Sequence, residues 1–258
     1  MSLSELSRSI AGSAALVTGA ASGMGRATAR LFADEGARLA LLDINAEKLA
    51  EVAGEIRAAG VEVVTITVDL SDRLAVEKAV NSAVDQLGGL DILVNNAGLI
   101  IPSEIDGAGY ANSWDTSFAV MATAQAWAIR AALPALRQAR HPRVVNLAST
   151  EALGATRFAS AYTVAKHASV GLTRAMAVDL GQEGITVKCV CPGPIHTAIT
   201  DDIDDDDKRV FAGRRTALRR YGEPEEVAHA ILGLVLPAAS YITGAALVVD
   251  GGLSIRNA

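Results

Sequence analysis

The chain has 258 residues, is half hydrophobic by count and carries a net charge of −6. It can therefore bury a sizeable core, and its acidity argues against a nucleic-acid-binding protein, which usually presents a basic face. Two cysteines, Cys189 and Cys191, are too few for a disulfide framework. We expect them to be small buried side chains in a reducing compartment, the cytoplasm.

No segment predicts membrane insertion. The N-terminus has no basic start followed by a long apolar core, so no signal peptide is expected. The stretch 118–136 approaches the ~20 residues that a membrane span needs. However, it contains Gln125 and Arg130, and Pro134 ends it. We expect a helix buried between layers or subunits.

Strand-like and helix-like patterns alternate along the chain. Strands are predicted at 14–19, 37–43, 61–70, 90–98, 143–149, 185–193 and 245–252. Helices are predicted at 23–35, 46–60, 71–87, about 112–138, 160–182 and 222–236. Ser71 is expected to cap the third helix, and Pro224 lies near the start of the last one.

The strands read as continuous apolar runs between helices, which indicates a parallel sheet covered on both faces. No linker or repeat divides the chain. Residues 1–258 are therefore predicted to form a single α/β domain, a Rossmann-type doubly wound parallel sheet of about seven strands with helices on both faces.

The segment 197–222 interrupts this alternation. It contains an aspartate-rich run, 201–207, followed by basic residues. One interpretation is a solvated helix whose acidic start complements the helix dipole. Another, compatible with the first, is a lid-like insertion over a ligand, because the segment is the longest interruption between core elements.

Three glycines, Gly19, Gly23 and Gly25, lie where the first strand passes into the first helix. Glycine there lets backbone N–H groups approach a pyrophosphate at the positive end of the helix, although such a triplet can also be a plain tight turn. Asp43 ends the second strand, close to the ~20-residue spacing at which an acid receives a ribose 2′-hydroxyl. We therefore predict a dinucleotide site.

The neighbours of Asp43 favour NAD over NADP. A carboxylate would repel a 2′-phosphate, and a basic residue that could bind the phosphate is absent both at Ile44 and at Ser22, just before the second glycine.

Tyr162 and Lys166 are spaced to lie on one face of a helix, about one turn apart. They could form a reactive pair, or they could be side chains that reach solvent from an interface helix.

Taken together, the motifs resemble the short-chain dehydrogenase/reductase family, in its single-domain branch, from about Gly12 to Gly252. The motifs are Thr18-Gly19-x-x-x-Gly23-x-Gly25, Asn95-Asn96-Ala97-Gly98, Ser149, Tyr162-x-x-x-Lys166 and Pro192-Gly193.

The resemblance implies an NAD-dependent oxidoreductase that transfers hydride reversibly between a secondary alcohol and its ketone. Tyr162 would be the general acid/base, Lys166 would tune it and bind the nicotinamide ribose, and Ser149 would orient the substrate oxygen. The implied NAD-binding residues are Gly19, Ser22, Gly23, Met24, Gly25, Asp43, Ile44, Asp69, Leu70, Asn96, Ala97, Gly98, Tyr162, Lys166, Pro192, Gly193, Ile195 and Thr197.

The pairing of Tyr162 with Lys166 has a physical rationale. A free phenol titrates near 10, but a neighbouring ammonium and the positive ring of the cofactor favour the phenolate. We expect the pKa of Tyr162 to fall by ~2–3 units, towards the pH at which proton transfer is most effective.

One position departs from the family pattern. The helix motif that begins at Trp114-Asp115 usually reaches an Asn seven residues after the Trp, and here Met121 stands in its place. That Asn helps to hold a water that relays protons from the Lys. Backbone carbonyl alone could hold the water, another polar group could substitute, or activity could be slow or lost. The last case gives an alternative function, a dinucleotide-binding protein with weak or no catalysis.

Substrate recognition is less defined. Ser149, Tyr162 and Glu151 are predicted to contact the substrate; Glu151 would either bind a polar, polyhydroxylated substrate or pair with Arg157. His196 is expected to form part of the wall of the substrate pocket. The other histidines show no metal-ligand grouping, so no metal is predicted.

The family resemblance also implies a homotetramer. The long apolar helices favour self-association, since exposed apolar patches mark interfaces. An epimerase or dehydratase of the longer branch of the family is a further alternative. That branch usually has a larger C-terminal substrate domain, for which little chain remains.

Overall fold

The computed structural model describes residues 5–257 and contains one parallel sheet of seven strands in the order β3-β2-β1-β4-β5-β6-β7. The strands are β1 Ala14–Thr18, β2 Arg38–Asp43, β3 Val63–Thr67, β4 Ile92–Asn95, β5 Arg143–Leu147, β6 Thr186–Pro192 and β7 Ala246–Val249. The α-helices are α1 Gly23–Asp34, α2 Ala46–Ala58, α3 Arg73–Leu87, α4 Tyr110–Phe118, α5 Ala124–Leu136, α6 Ser160–Leu180, α7 Asp205–Arg215 and α8 Pro224–Val235.

Both faces of the central strands are buried between helices, which confirms the predicted fold class. Successive residues of a strand point to opposite faces, and β1 shows the consequence. Val17 packs in a core with α1, α2 and α8, while Leu16 packs in a second core with α3, α5 and α6. The continuous apolar strands of the sequence are therefore explained by two helical layers.

Strand β1 lies between β2 and β4, so the chain turns in opposite directions on its two sides. Ligands of open α/β sheets bind in the crevice at such a switch point, beyond the carboxyl ends of the strands. The strands are all parallel, so the residues that follow them, such as Gly19, Asn96 and Ser149, are brought to one edge of the sheet.

Three predicted features of the helices differ from the structure. The N-cap of α3 is Asp72, not Ser71, because the Asp72 carboxylate accepts hydrogen bonds from the backbone N–H groups of Leu74 and Ala75. The predicted helix at 112–138 is divided by one π-helical turn, Ala119–Thr123. Pro134 lies in the last turn of α5 rather than ending it, and the helix continues to Leu136.

The acidic run begins a helix, α7. Asp204 caps it and accepts a hydrogen bond from the backbone N–H of Asp206. Three aspartates occupy its first turn and two arginines its last, an arrangement that suits the helix dipole. Whether the segment 197–222 closes over a ligand stays a prediction. Among residues 5–257, no single helix is both long enough and apolar enough to cross a membrane.

Candidate active site

A cavity of about 650 Å³ lies at the carboxyl edge of the sheet. The residues predicted to bind the dinucleotide line it, with Gly25 as the exception, and so do Ser149, Tyr162 and Lys166. The structure thus brings into one cavity side chains that are far apart in the sequence.

The glycine-rich turn requires glycine for two different reasons. Gly19 and Gly23 have φ angles of 65° and 52°, which lie in the left-handed region that favours glycine. Gly25 is helical, but a Cβ atom there would lie 2.0 Å from the carbonyl oxygen of Gly19. Gly25 therefore allows α1 to pack closely against the end of β1, and it acts through packing rather than by lining the cavity.

Asn96 holds the same turn from the neighbouring strand. Its Nδ2 donates to the carbonyl oxygens of Thr18, at 2.9 Å, and Gly19, at 3.2 Å. Its Oδ1 is buried and has no hydrogen-bond partner. An acceptor left free beside a glycine cradle fits a ligand that brings hydroxyl or amide donors, as a dinucleotide does.

Asp43 is oriented by backbone amides. Its carboxylate oxygens accept hydrogen bonds from Ala21 N, at 3.0 Å, and Asn45 N, at 2.9 Å. Each carboxylate oxygen can accept more than one hydrogen bond, so a ribose hydroxyl can still bind. The residues present therefore fit a nicotinamide dinucleotide at two points: the glycine-rich turn can bind its phosphates, and the Asp43 carboxylate can bind its ribose.

The third group of residues surrounds Tyr162. Lys166 is buried and its Nζ donates to the carbonyl oxygen of Leu147 at 2.9 Å. The same Nζ lies 5.5 Å from the centroid of the Tyr162 ring. Burial lowers the pKa of Lys166 to about 8.

In the protein alone the pKa of Tyr162 is raised, whereas the predicted fall also counted the positive ring of the cofactor and stays a prediction for the complex. Burial raises the pKa of the phenol, the Ser149 hydroxyl lowers it, and the negative charge of Glu151 raises it. Desolvation of the phenol is the largest of these effects. Burial therefore favours the protonated form of the Tyr162 hydroxyl.

Met121 is fully buried in the π-helical turn, and its carbonyl oxygen accepts a hydrogen bond from Ser169 Oγ at 3.0 Å. A Cβ atom built on Gly98 would lie 3.4 Å from Lys166 Nζ and 3.6 Å from Met121 Sδ. The thioether thus lies in the same small space as the end of the lysine. Whether the backbone alone holds a relay water stays a prediction.

At the substrate end, Glu151 and His196 lie outside the cavity lining, and their contact with a substrate stays a prediction. Glu151 does not pair with Arg157, whose guanidinium lies over the ring of Phe158. Glu151 also does not line the cavity; its carboxylate accepts hydrogen bonds from threonines instead. His196 lies outside the lining too, with its ring centroid 5.2 Å from that of Tyr221.

Among the lining residues that sequence reasoning missed are Leu99, Thr116, Val120 and Ile199. Leu99 follows the Asn96-Ala97-Gly98 turn directly, which could have signalled it. Thr116 and Val120 are one helical turn apart, a spacing that could have indicated a shared face. In the part of the chain that the structure describes, no three His, Cys, Asp or Glu residues are grouped as metal ligands would be.

Comparison with known proteins agrees with this geometry. The family model described as Enoyl-(Acyl carrier protein) reductase matches residues 19–254. The chain is 37% identical over 241 residues to the (2S)-[(R)-hydroxy(phenyl)methyl]succinyl-CoA dehydrogenase subunit BbsD of Thauera aromatica, covering 93% of this chain and 96% of that one. It is 37% identical over 237 residues to meso-2,3-butanediol dehydrogenase of Serratia marcescens, covering 92% of each.

A solved structure gives the same result. L-Sorbose reductase from Gluconobacter frateurii, complexed with NADPH and L-sorbose, has a TM-score of 0.89 and 30% sequence identity over 97% of this chain and 99% of that one. Fold, motifs and relatives agree, and the protein belongs to the short-chain dehydrogenase/reductase family.

Proposed function

We propose that the protein is an NAD-dependent oxidoreductase that transfers hydride reversibly between a secondary alcohol and its ketone. One observation carries the proposal: Tyr162, Ser149 and Lys166 line the same cavity as Asp43 and the glycine-rich turn. A proton-transfer group and a dinucleotide cradle in one cavity are what such a reaction needs.

The preference for NAD rests on Asp43. Among the residues that line the cavity in the described structure, the charged side chains are Asp43, Asp69 and Lys166. Lys166 lies beside Tyr162. The charged lining side chains that remain to face a 2′-phosphate are therefore two carboxylates, which would repel it. The sorbose reductase structure contains NADPH, so the preference for NAD in this chain is proposed from Asp43 and not from that structure.

The chemistry divides between cofactor and protein. Bound NAD would supply the hydride acceptor. Tyr162 would take the hydroxyl proton in alcohol oxidation and return it in ketone reduction. Ser149 would donate a hydrogen bond to the substrate oxygen, and the Lys166 ammonium would favour the phenolate during oxidation.

The substrate is proposed to be uncharged, with an apolar body. The lining residues that the sequence did not indicate add no charge to the cavity; they include Leu99, Thr116, Val120 and Ile199. An anionic substrate would have Lys166 as its one cationic partner among the lining residues, and that side chain already donates to Leu147. Simple secondary alcohols should therefore be better substrates than polyols.

A second candidate is a dinucleotide-binding protein with weak or no catalysis. Met121 supports it, because a thioether cannot replace an amide as donor and acceptor in a proton relay. This candidate predicts tight NAD binding without turnover.

We further propose that the protein is cytoplasmic and forms a homotetramer, in keeping with its exposed apolar residues Val178 and Val248.

The test is to incubate the protein with NAD and a panel of secondary alcohols and polyols while following NADH absorbance. The variant Tyr162→Phe keeps the ring and removes the hydroxyl. It should lose about 10²- to 10⁴-fold in turnover, the usual contribution of general acid–base catalysis. Its NAD affinity, measured by calorimetry, should change little. Equal rates for Tyr162→Phe and the parent would contradict the proposal. NAD binding without NADH formation from any alcohol would favour the second candidate.

A further inference from the structure

We propose that Glu151 is a positioning residue that ties the segment carrying Ser149 to the helix carrying Tyr162. The proposal rests on the proposed function, in which these two hydroxyls act on one substrate oxygen. Glu151 would act through hydrogen bonds to its neighbours, without touching the substrate.

The first part of the tie lies on the Ser149 side. Ser149 caps a short 3₁₀ turn, Thr150–Ala152, and its Oγ accepts a hydrogen bond from the backbone N–H of Glu151 at 3.1 Å. The orientation of the Ser149 hydroxyl therefore depends on where Glu151 is held.

The second part lies on the Tyr162 side. The Glu151 carboxylate accepts three hydrogen bonds: from Thr156 N at 2.9 Å, from Thr156 Oγ1 at 2.6 Å and from Thr163 Oγ1 at 2.8 Å. Thr163 is buried in the first turn of α6 and follows Tyr162 directly. One carboxylate thus holds both the returning loop and the start of the catalytic helix.

The loop needs such a tie. The N-cap residue of α6, Ala159, makes no side-chain capping bond. Phe158, just before it, has a φ of 64°, in the left-handed region that costs a non-glycine residue energy. A strained residue before an uncapped helix persists only when neighbouring contacts hold it. Hydrogen bonds to a carboxylate are stronger than neutral ones, so Glu151 can supply that constraint.

Glu151 also acts electrostatically. Two charged side chains lie near Tyr162, Lys166 on its own helix and Glu151 on the facing loop, and the negative charge of Glu151 raises the pKa of the phenol. Removing that charge should lower the pKa. The acidic limb of the pH profile for alcohol oxidation, which needs the phenolate, should then move to lower pH.

Four variants test the proposal. Glu151→Ala should lower kcat by tenfold or more, towards the roughly 100-fold effect of misplacing a catalytic group by an ångström, with little change in KM. Glu151→Gln keeps an acceptor and should recover part of the loss while shifting the acidic limb to lower pH. Thr163→Val should share the kcat loss without that shift. Glu51→Gln, an exposed change on α2, is the control and should match the parent.

A KM effect that varies with the substrate and is absent in Thr163→Val would overturn the proposal in favour of substrate contact. Amide hydrogen exchange of residues 150–163 tests whether Glu151 holds the loop and the helix together, even if no substrate is found. Faster exchange in Glu151→Ala and Glu151→Gln, with melting temperatures near that of the parent, supports it, and unchanged exchange overturns it. A parent protein that never reduces NAD would instead overturn the proposed function.

Discussion

The close packing at Gly25 gives a prediction whose size can be worked out from the structure. Gly25→Ala would place Cβ 2.0 Å from the carbonyl oxygen of Gly19, a backbone atom that cannot swing aside. Either the turn opens or α1 shifts. Gly54, within α2, is the matched control, because a Cβ atom there would meet nothing within 4 Å.

Both substitutions replace a helical glycine, so both gain about 1 kcal/mol of helix propensity. Gly54→Ala should therefore stabilise the protein by about that amount. Gly25→Ala must also accommodate the crowding, for which overpacked sites cost about 1–3 kcal/mol. The two variants should differ by this amount, or by about 2–4 °C in melting temperature for each kcal/mol in a domain of this size.

Thermal unfolding followed by circular dichroism measures the difference, and calorimetric titration with NAD measures its consequence at the site. We expect Gly25→Ala to lower NAD affinity, because the backbone amides of the turn move, and Gly54→Ala to leave it unchanged. If the two variants had the same melting temperature and the same NAD affinity, the packing argument would be refuted.

Four further outcomes are expected. Asp43→Asn should weaken NAD binding about 10- to 100-fold, through loss of a charged hydrogen bond of about 1.5–3 kcal/mol, and weaken NADP binding less; equal losses would contradict the role given to Asp43. Met121→Asn should raise turnover if the relay limits it, and an unchanged rate would show that it does not. Burial lowers the pKa of Lys188 to about 7. The unfolded chain therefore binds more protons than the folded one above that pH, and the free energy of unfolding should rise from pH 7 to pH 9. Urea denaturation of Lys188→Met should show a smaller rise, and a rise equal to that of the parent would refute the role given to Lys188. Val248→Lys on the edge strand β7 should lower the sedimentation coefficient from that of a tetramer, and a parent that sediments as a monomer would contradict the assembly.

Much of the architecture could be read from the sequence because its signals are local. Strand periodicity, glycine-rich turns and helix stops depend on residues within one element, and their order along the chain predicts a parallel sheet. In a parallel sheet, residues that follow the strands meet at one edge. Gly19 and Asp43 could therefore be assigned to one site before their distance was known, and the family resemblance added Ser149.

The family motifs carried the assignment further, to Tyr162 and Lys166, because the same spacing on the same predicted helix implies the same roles. The sequence could not place Glu151. Its partners Thr156 and Thr163 are chosen by the path of a loop, and the charge of Arg157 offered a nearer partner. Only the tertiary structure showed that Arg157 lies against Phe158 instead.

Burial and neighbours from other elements account for the remaining differences. The direction of the Tyr162 pKa depends on how far the surrounding elements remove the phenol from water, and a helical spacing of four residues carries no such information. The environment of Met121 depends in the same way on Ser169 and Gly98, which approach it from α6 and from beyond β4. Local pattern determined which elements form and where the cavity opens, whereas packing between distant elements determined the burial, the direction of the pKa shifts and the contacts of the groups inside it.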